Sequence, residues 1–339
     1  MKMRILWACY LFGVLLSLEI AQAQVEPLNG PEEAMQQFAR LLRIPPEVPA
    51  CRAVSTSVEP QGDVILEDLS WASLDGEQVP AYLIRPREGK GPFPAVICLH
   101  GSSGSRESMI AEPFGIGDWK RFGSDVTHQR LLGWARQLAR SGFVTLSITQ
   151  RGLDHRLPNT NDRAKDVLVH GRTLMGEIVQ EIRQGISYLE GRPDVDPSRI
   201  GVGGLSFGGI TSFYTWLADD RIAAVSSICG GVGSVETLLR EGSPGYHGFY
   251  WWIPDMLTRG DQGDFAAAMA PRPLMIWAPL QDIGMPASGV ESFLNAVEPA
   301  YRRKNGLQFL SVHRPPGEHA FSLEAFSAMR RFFTDQLVP

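Results

Sequence analysis

The sequence predicts an α/β protein with a mostly parallel central sheet covered by helices on both faces. Short apolar runs, suited to buried parallel strands, alternate with longer amphipathic stretches suited to helices. The 339 residues, 44% of them hydrophobic and 20% charged, suit one large α/β domain or two small ones. No internal repeat or low-complexity tract interrupts the alternation.

The first 23 residues are typical of a secretory signal peptide. Lys2 and Arg4 precede an apolar run over residues 5–18, and Ala21 and Ala23 supply a small-x-small cleavage site. The run is shorter than the roughly 20 residues that a helix needs to span a bilayer. Cleavage after Ala23 would make the protein secreted or periplasmic, and an uncleaved N-terminal anchor is the alternative.

Residues 24–60 are predicted to form an N-terminal extension on the surface of a domain that spans 61–339. The extension contains one helical stretch, 31–42, followed by three prolines, Pro45, Pro46 and Pro49. We expect it to wrap the domain and to contribute little chemistry.

The domain is predicted to open with an antiparallel hairpin, in which strands 65–71 and 79–85 flank the turn signal Asp75-Gly76. The parallel strands are predicted over 94–99, 144–149, 200–205, 223–229, 274–278 and 309–313. The helices between and after them are predicted over 127–140, 177–189, 207–217, 289–302 and 323–336.

The segment Gly204-Leu205-Ser206-Phe207-Gly208 has the G-x-S-x-G pattern of a nucleophile elbow, a sharp turn between a strand and a helix that exposes its serine. Its flanks fit this interpretation, because an apolar strand-like run precedes it and a helical stretch follows. The alternative is a tight Gly-rich turn that carries a serine by chance. Ser206 is therefore the candidate nucleophile.

A serine hydroxyl needs a base to accept its proton and a third group to orient that base. Asp282 closely follows the predicted strand 274–278, and His319 lies in the loop beyond the last predicted strand. Serine, acid and histidine then follow in the order expected after an elbow. His313 is the weaker candidate because it sits within an apolar run. The acids that precede the strand are better explained as solvated loop charges: Asp255, Asp261 and Asp264.

Two backbone N–H groups are needed for the oxyanion that develops during acyl transfer. The N–H of Phe207, directly after the nucleophile, is the first candidate. The second should come from the Gly101-Ser102-Ser103-Gly104 loop, where we assign Ser102 and keep Ser103 as the alternative. His100, at the end of the preceding strand, is a candidate for substrate binding.

A long connection between Gly230 and Pro271 is rich in aromatic residues and precedes the strand that carries the candidate acid. Connections of this length inside compact domains are usually functional. We therefore expect Tyr250, Trp251 and Trp252 to contact substrate. The alternative is a satellite hydrophobic cluster beneath a long loop.

Several other functions find no support in the sequence. Beyond the signal segment only Cys51, Cys98 and Cys229 remain, an odd number that excludes a disulfide framework. No zinc-protease pattern, paired CxxC or Walker motif occurs, so we expect neither a metal nor a cofactor. The net charge of -5 and the lack of a basic cluster make nucleic acid an unexpected partner. Oligomeric state is left open.

Taken together, the motifs resemble the dienelactone-hydrolase-like group of the α/β-hydrolase superfamily, which includes acetyl xylan esterases. The resemblance spans roughly residues 79–335. Besides the elbow, it rests on segments 150–152, 171–176, 192–201, 270–276 and 316–321.

The resemblance implies a serine esterase that cleaves carboxylic esters through an acyl-enzyme, with an acetylated carbohydrate as the leading substrate class. A dienelactone or aryl-ester hydrolase and a peptidase are alternatives with the same machinery. A non-catalytic binding module that retains the fold is the alternative from another class, because fold does not determine function.

Overall fold

A computed structural model of the protein describes residues 28–47, 50–118, 129–156 and 158–338. The predicted signal peptide lies outside these residues. The strands are β1 (Val54–Gln61), β2 (Val64–Ala72), β3 (Gln78–Pro86), β4 (Phe93–Leu99), β5 (Gly115–Asp118), β6 (Gln129–Leu132), β7 (Val144–Ile148), β8 (Val195–Leu205), β9 (Ala224–Ile228), β10 (Leu274–Trp277) and β11 (Leu310–His313). The helices are α1 (Pro31–Leu42), α2 (Arg106–Ile110), α3 (Trp134–Arg140), α4 (Thr160–Val169), α5 (Leu174–Glu190), α6 (Phe207–Ala218), α7 (Val235–Glu241), α8 (Gln262–Ala268), α9 (Ala287–Arg303) and α10 (Leu323–Leu337).

The central sheet has the order β1-β2-β3-β7-β4-β8-β9-β10-β11, and β5 and β6 form a separate hairpin. The pairs from β1 to β7 are antiparallel. All later pairs, from β7 to β11, are parallel. The predicted fold class, a mostly parallel sheet opened by an antiparallel hairpin, is confirmed.

Helices cover both faces of the sheet because its central strands are apolar on both sides. Every residue of β7, β9 and β10 is buried. On one face α1, α5, α6, α8 and α9 contribute to one hydrophobic cluster. On the other face α3 and α10 contribute to a second cluster. Among the helices of the described ranges, none combines the length and apolar character that crossing a membrane requires.

The register of the parallel strands brings their carboxyl ends to one edge of the sheet. Leu99 at the end of β4 pairs with Gly204, and Leu205 at the end of β8 pairs with Ile228 of β9. Trp277 of β10 in turn pairs with Ile228 and with His313 of β11. The loops that follow these strands therefore meet at one edge, which is where open α/β sheets place their ligand sites.

Two predictions for the start of the sheet need correction. The predicted boundary at residue 60/61 falls inside β1, which the sequence did not reveal because almost every residue of this edge strand is exposed and no hydrophobic alternation marks it. The helix predicted over 127–140 begins only at Trp134. Residues Gln129–Leu132 form β6 instead, and Gly133, with φ of 72°, separates the strand from the helix.

Helix α1 forms where the sequence predicted it and ties the N-terminal extension to the domain. Pro31 opens the helix and acidic residues occupy its first turn, an arrangement that favours a helix N-terminus. Its buried face includes Ala34 and Phe38. The Phe38 ring packs 5.1 Å from that of Phe265 on α8 and 5.2 Å from that of Tyr214 on α6.

We expect Phe38→Ala to lower the free energy of unfolding by about 3–5 kcal/mol, because it leaves a cavity in the core. Equilibrium denaturation in urea measures this change. Gln36→Ala, on the exposed side of the same helix, is the matched control and should have a small effect. Similar small effects for both variants would show that α1 is not part of the cooperative unit.

Candidate active site

Ser206 lies at the turn between β8 and α6 with φ of 55° and ψ of -117°. Non-glycine residues rarely adopt such a positive φ, so the turn must be held by its surroundings. The backbone N–H of Ser206 donates to the carbonyl oxygen of Ile228 at 2.8 Å. A Cβ atom at Gly204 or Gly208 would overlap the carbonyl oxygen of Leu99. The two glycines of the predicted elbow therefore let the neighbouring strand approach the turn.

The structure brings Ser206, His319 and Asp282 into one hydrogen-bonded line. His319 Nδ1 lies 2.9 Å from Asp282 Oδ1 and 3.1 Å from Oδ2, and His319 Nε2 lies 2.8 Å from Ser206 Oγ. Because an ionised carboxylate only accepts hydrogen bonds, Nδ1 carries the imidazole proton. Nε2 of the neutral ring is then the acceptor for the serine hydroxyl, as a general base requires.

The loops that carry the acid and the histidine are joined by backbone hydrogen bonds that continue the pairing of β10 with β11. Three N–H groups after β10 donate to carbonyl oxygens at the last residue of β11 and in the loop beyond it: Ala278 to His313 at 2.9 Å, Leu280 to Pro315 at 2.9 Å and Gln281 to Gly317 at 3.0 Å. Asp282 is the next residue after these bonds, and His319 lies two residues beyond Gly317. The bonds therefore determine the separation of the two side chains.

Both residues assigned to the oxyanion line the same cavity as Ser206. Phe207 is the first residue of α6, so its N–H has no acceptor within the helix and lies at the positive end of the helix dipole. Ser102 belongs to a turn closed by a hydrogen bond from the Gly104 N–H to the Gly101 carbonyl oxygen at 2.9 Å. Ser102 lines the same cavity as Ser206.

The cavity at Ser206 has a volume of about 170 Å³. Of the predicted substrate-binding residues, Tyr250 and Trp251 line it. The Tyr250 ring packs 4.9 Å from the ring of Phe207, and Trp251 is almost fully buried. The aromatic insertion between β9 and β10 therefore forms one wall of the cavity.

His100 and Trp252 do not line the cavity, which corrects two predicted substrate contacts. His100 Nε2 accepts a hydrogen bond from the Gln150 N–H at 3.2 Å, and Nδ1 can then donate to the Gly101 carbonyl oxygen at 2.8 Å. Burial lowers the pKa of His100 to about 4. Trp252 follows the 3-10 turn Phe249–Trp251 and packs edge-on against Trp251 and the hydrophobic core.

Sequence reasoning did not assign five further residues that line the cavity: Ile210, Cys229, Gly230, Tyr246 and His247. The sequence gives no signal for Cys229, which looks like a buried strand residue, but its φ of 49° turns the chain beside the site. Burial raises the pKa of its thiol, and Sγ lies 3.4 Å from the Ala320 carbonyl oxygen. Tyr246 and His247 belong to the aromatic segment, whose irregular backbone has no periodicity to show which side chains face inward.

Cys229, Asp282 and His319 also form a cluster of possible metal ligands in the described part of the chain. Their ligand atoms all lie within 4.8 Å of one another. Hydrogen bonding between Asp282 and His319 already accounts for the proximity of two of the three.

Comparison with known proteins identifies the architecture. An acetyl xylan esterase from Paenibacillus sp. R4 superposes with a TM-score of 0.64 at 18% identity, over 94% of this chain and 99% of that one. A glucuronoyl esterase from Solibacter usitatus superposes with a TM-score of 0.67 at 14% identity, over 91% and 94%. This chain has the α/β-hydrolase fold. The resemblance predicted from its motifs is confirmed at the level of the fold.

In sequence, the chain is 26% identical over 288 residues to a protein of Bacillus subtilis (strain 168) named "Putative hydrolase YtaP". The match covers 85% of this chain and 93% of that protein. No model of a known protein family matches the chain. In the α/β-hydrolase fold the nucleophile follows a central strand and the acid and histidine follow later ones. Ser206, Asp282 and His319 occupy these positions after β8, β10 and β11.

The low pKa of His100 predicts a pH-dependent stability. The unfolded chain binds a proton at this residue below about pH 6.5, whereas the folded protein does so only near pH 4. Stability present above about pH 6.5 is therefore lost as the pH falls towards 4, by about 3 kcal/mol from this group. Equilibrium denaturation measures the free energy of unfolding across this pH range. As the pH falls, this free energy should decrease more in wild type than in His100→Asn. A difference in the free energy of unfolding between the two proteins that stays constant with pH would contradict the prediction.

Proposed function

We propose that the protein is a serine esterase that hydrolyses carboxylic esters through an acyl-enzyme. The observation that carries the proposal is the hydrogen-bonded line from Ser206 through His319 to Asp282 at the wall of one cavity. Nucleophile, base and orienting acid are the three roles that activation of a serine requires.

In the proposed reaction Ser206 Oγ attacks the ester carbonyl carbon while His319 Nε2 accepts the hydroxyl proton. The N–H groups of Phe207 and Ser102 donate to the oxyanion of the tetrahedral intermediate. His319 then gives its proton to the leaving alcohol, and Asp282 stabilises the imidazolium that forms in between. Water attacks the acyl-enzyme by the same route and releases the acid.

An acetylated carbohydrate is the proposed substrate class. A volume of about 170 Å³ is below the usual size of drug-sized ligand pockets, about 300–1,000 Å³, and suits a short acyl group. The likeness to an acetyl xylan esterase supports an acetyl group as the acyl part of the substrate. The small cavity disfavours the bulkier uronoyl group that the name of the glucuronoyl esterase implies. Tyr246 lines the same cavity, is partly exposed and has its ring centroid 5.8 Å from that of His319, so this ring is a proposed contact for the leaving sugar.

A location outside the cytoplasm is part of the same proposal. It rests on the predicted signal peptide, residues 1–23, and suits an enzyme that acts on polysaccharide. N-terminal sequencing of the exported protein tests it, with Gln24 expected as the first residue.

We expect Ser206→Ala to lower kcat/KM on p-nitrophenyl acetate and on acetylated xylan by roughly 10⁴-fold or more. His319→Ala should show a similar loss, and the double variant should lose little more, because the two residues act as a unit. Thermal unfolding checks that the variants remain folded. Ester turnover that survives Ser206→Ala would exclude the proposed nucleophile, and ester binding without turnover by wild type would favour a binding module.

The wall of the cavity predicts a preference for short acyl groups. Across p-nitrophenyl esters from acetate to octanoate, wild type should have its highest kcat/KM with acetate. In Tyr250→Ala the ratio of kcat/KM for butanoate to kcat/KM for acetate should rise by about 10-fold or more. Phe249→Ala is the matched control, because this neighbouring ring is exposed and does not line the cavity. An equal shift in both variants would contradict a specific role for Tyr250.

A further inference from the structure

His247 connects the aromatic insertion to the loop that carries Asp282. Its Nε2 lies 2.6 Å from the carbonyl oxygen of Gly284. Because a carbonyl oxygen only accepts, Nε2 must carry a proton and donate it. The N–H of the same glycine donates to Asp282 Oδ1 at 2.8 Å. Gly284 is therefore held on one side by the insertion and on the other by the carboxylate.

These bonds extend the line of hydrogen bonds behind the nucleophile. Asp282 Oδ1, which accepts from Gly284, is also the oxygen closest to His319 Nδ1. A shift of Gly284 would thus change the orientation of the carboxylate and, with it, the position of the imidazole relative to Ser206. The hydrogen bond from the His247 side chain to the Gly284 carbonyl oxygen opposes such a shift.

The imidazole of His247 is itself held in place by packing. It stacks on the Trp251 ring with centroids 4.3 Å apart and an angle of 20° between the planes. On another side its Cε1 approaches the backbone of Gly231, where a Cβ atom would lie only 3.1 Å away. Burial lowers the pKa of His247, which favours the neutral ring that has a single N–H to donate.

We propose that His247 is a positioning residue that acts through Gly284 to keep Asp282 aligned with His319. The proposal rests on the serine-esterase function proposed above. It implies that His247 both lines the substrate cavity and supports the hydrogen-bonded line of Asp282, His319 and Ser206. The fit of the acyl group against Trp251 and His247 is then coupled to the rate of the chemical step.

Two substitutions at His247 and one matched control test the proposal. His247→Leu removes the donor at similar volume, whereas His247→Gln retains an N–H at a similar reach. His313→Leu is the control, because His313 is also partly buried and also stacks on a tryptophan, Trp277, with centroids 5.3 Å apart. His313 is not part of the line of bonds to Ser206.

Kinetics on p-nitrophenyl acetate separate positioning from a wall contact. We expect His247→Leu to lower kcat by roughly 10- to 100-fold with little change in KM, because small misplacements of catalytic groups have effects of this size. His247→Gln should recover most of kcat, and His313→Leu should keep both constants. An unchanged kcat in His247→Leu, an equal loss in the Gln and Leu variants, or a change confined to KM would each overturn the proposal.

A spectroscopic readout needs no substrate and therefore distinguishes this proposal from the proposed function. The proton between His319 Nδ1 and Asp282 should give a strongly downfield one-dimensional NMR resonance. In folded His247→Leu this resonance should shift or broaden through exchange, and in His247→Gln and His313→Leu it should persist as in wild type. An unaltered resonance in folded His247→Leu would overturn the positioning role even if no ester substrate were found.

Discussion

Ser206 holds a backbone conformation that costs a non-glycine residue of order 1–3 kcal/mol, and the surrounding sheet must supply this energy. The turn is held where β8 lies between β4 and β9. On the β4 side, Gly204 and Gly208 pack against the backbone of Leu99, and on the β9 side the Ser206 N–H donates to the carbonyl oxygen of Ile228. Only a buried, parallel, tightly packed centre offers such close approach on both sides. The strained turn at Ser206 is thus a consequence of the packing of the sheet.

The other parts of the site are placed by the same edge of the sheet. Backbone hydrogen bonds between the segments after β10 and β11 set the distance from Asp282 to His319. The register of β8 with β9, and of β9 with β10, sets the distance of these two residues from Ser206. Ion pairs of the buried Arg151 support the loop after β7. Arg151 lies 2.7 Å from Glu181 and 2.6 Å from Asp75, which ties this loop to α5 and to the turn between β2 and β3. Removing the Arg151 side chain would leave the carboxylate of Glu181, which is almost fully buried, with Arg156 as its remaining ion-pair partner.

Local patterns were sufficient to predict most of the architecture. The buried strands and long helices have clear apolar runs or amphipathic periodicity, so their positions agree with the structure to within a few residues. The edge strand β1 was missed because exposed residues give it no pattern, and β6 was absorbed into a helix because Gly133, which ends it, was not recognised as a boundary. The short helices of the insertion likewise carry too few residues for a period.

The sequence by itself determined the order Ser206, Asp282, His319 and their association with strand ends, because an elbow motif and the loops after strands are local features. Tertiary structure alone decided which neighbours face the cavity. His100 turns into a buried hydrogen bond with Gln150, and Trp252 turns into the core. His247 instead reaches Gly284, 37 residues away. An irregular segment has no period that would predict the direction of its side chains, and a hydrogen bond between distant residues exists only once the chain is folded.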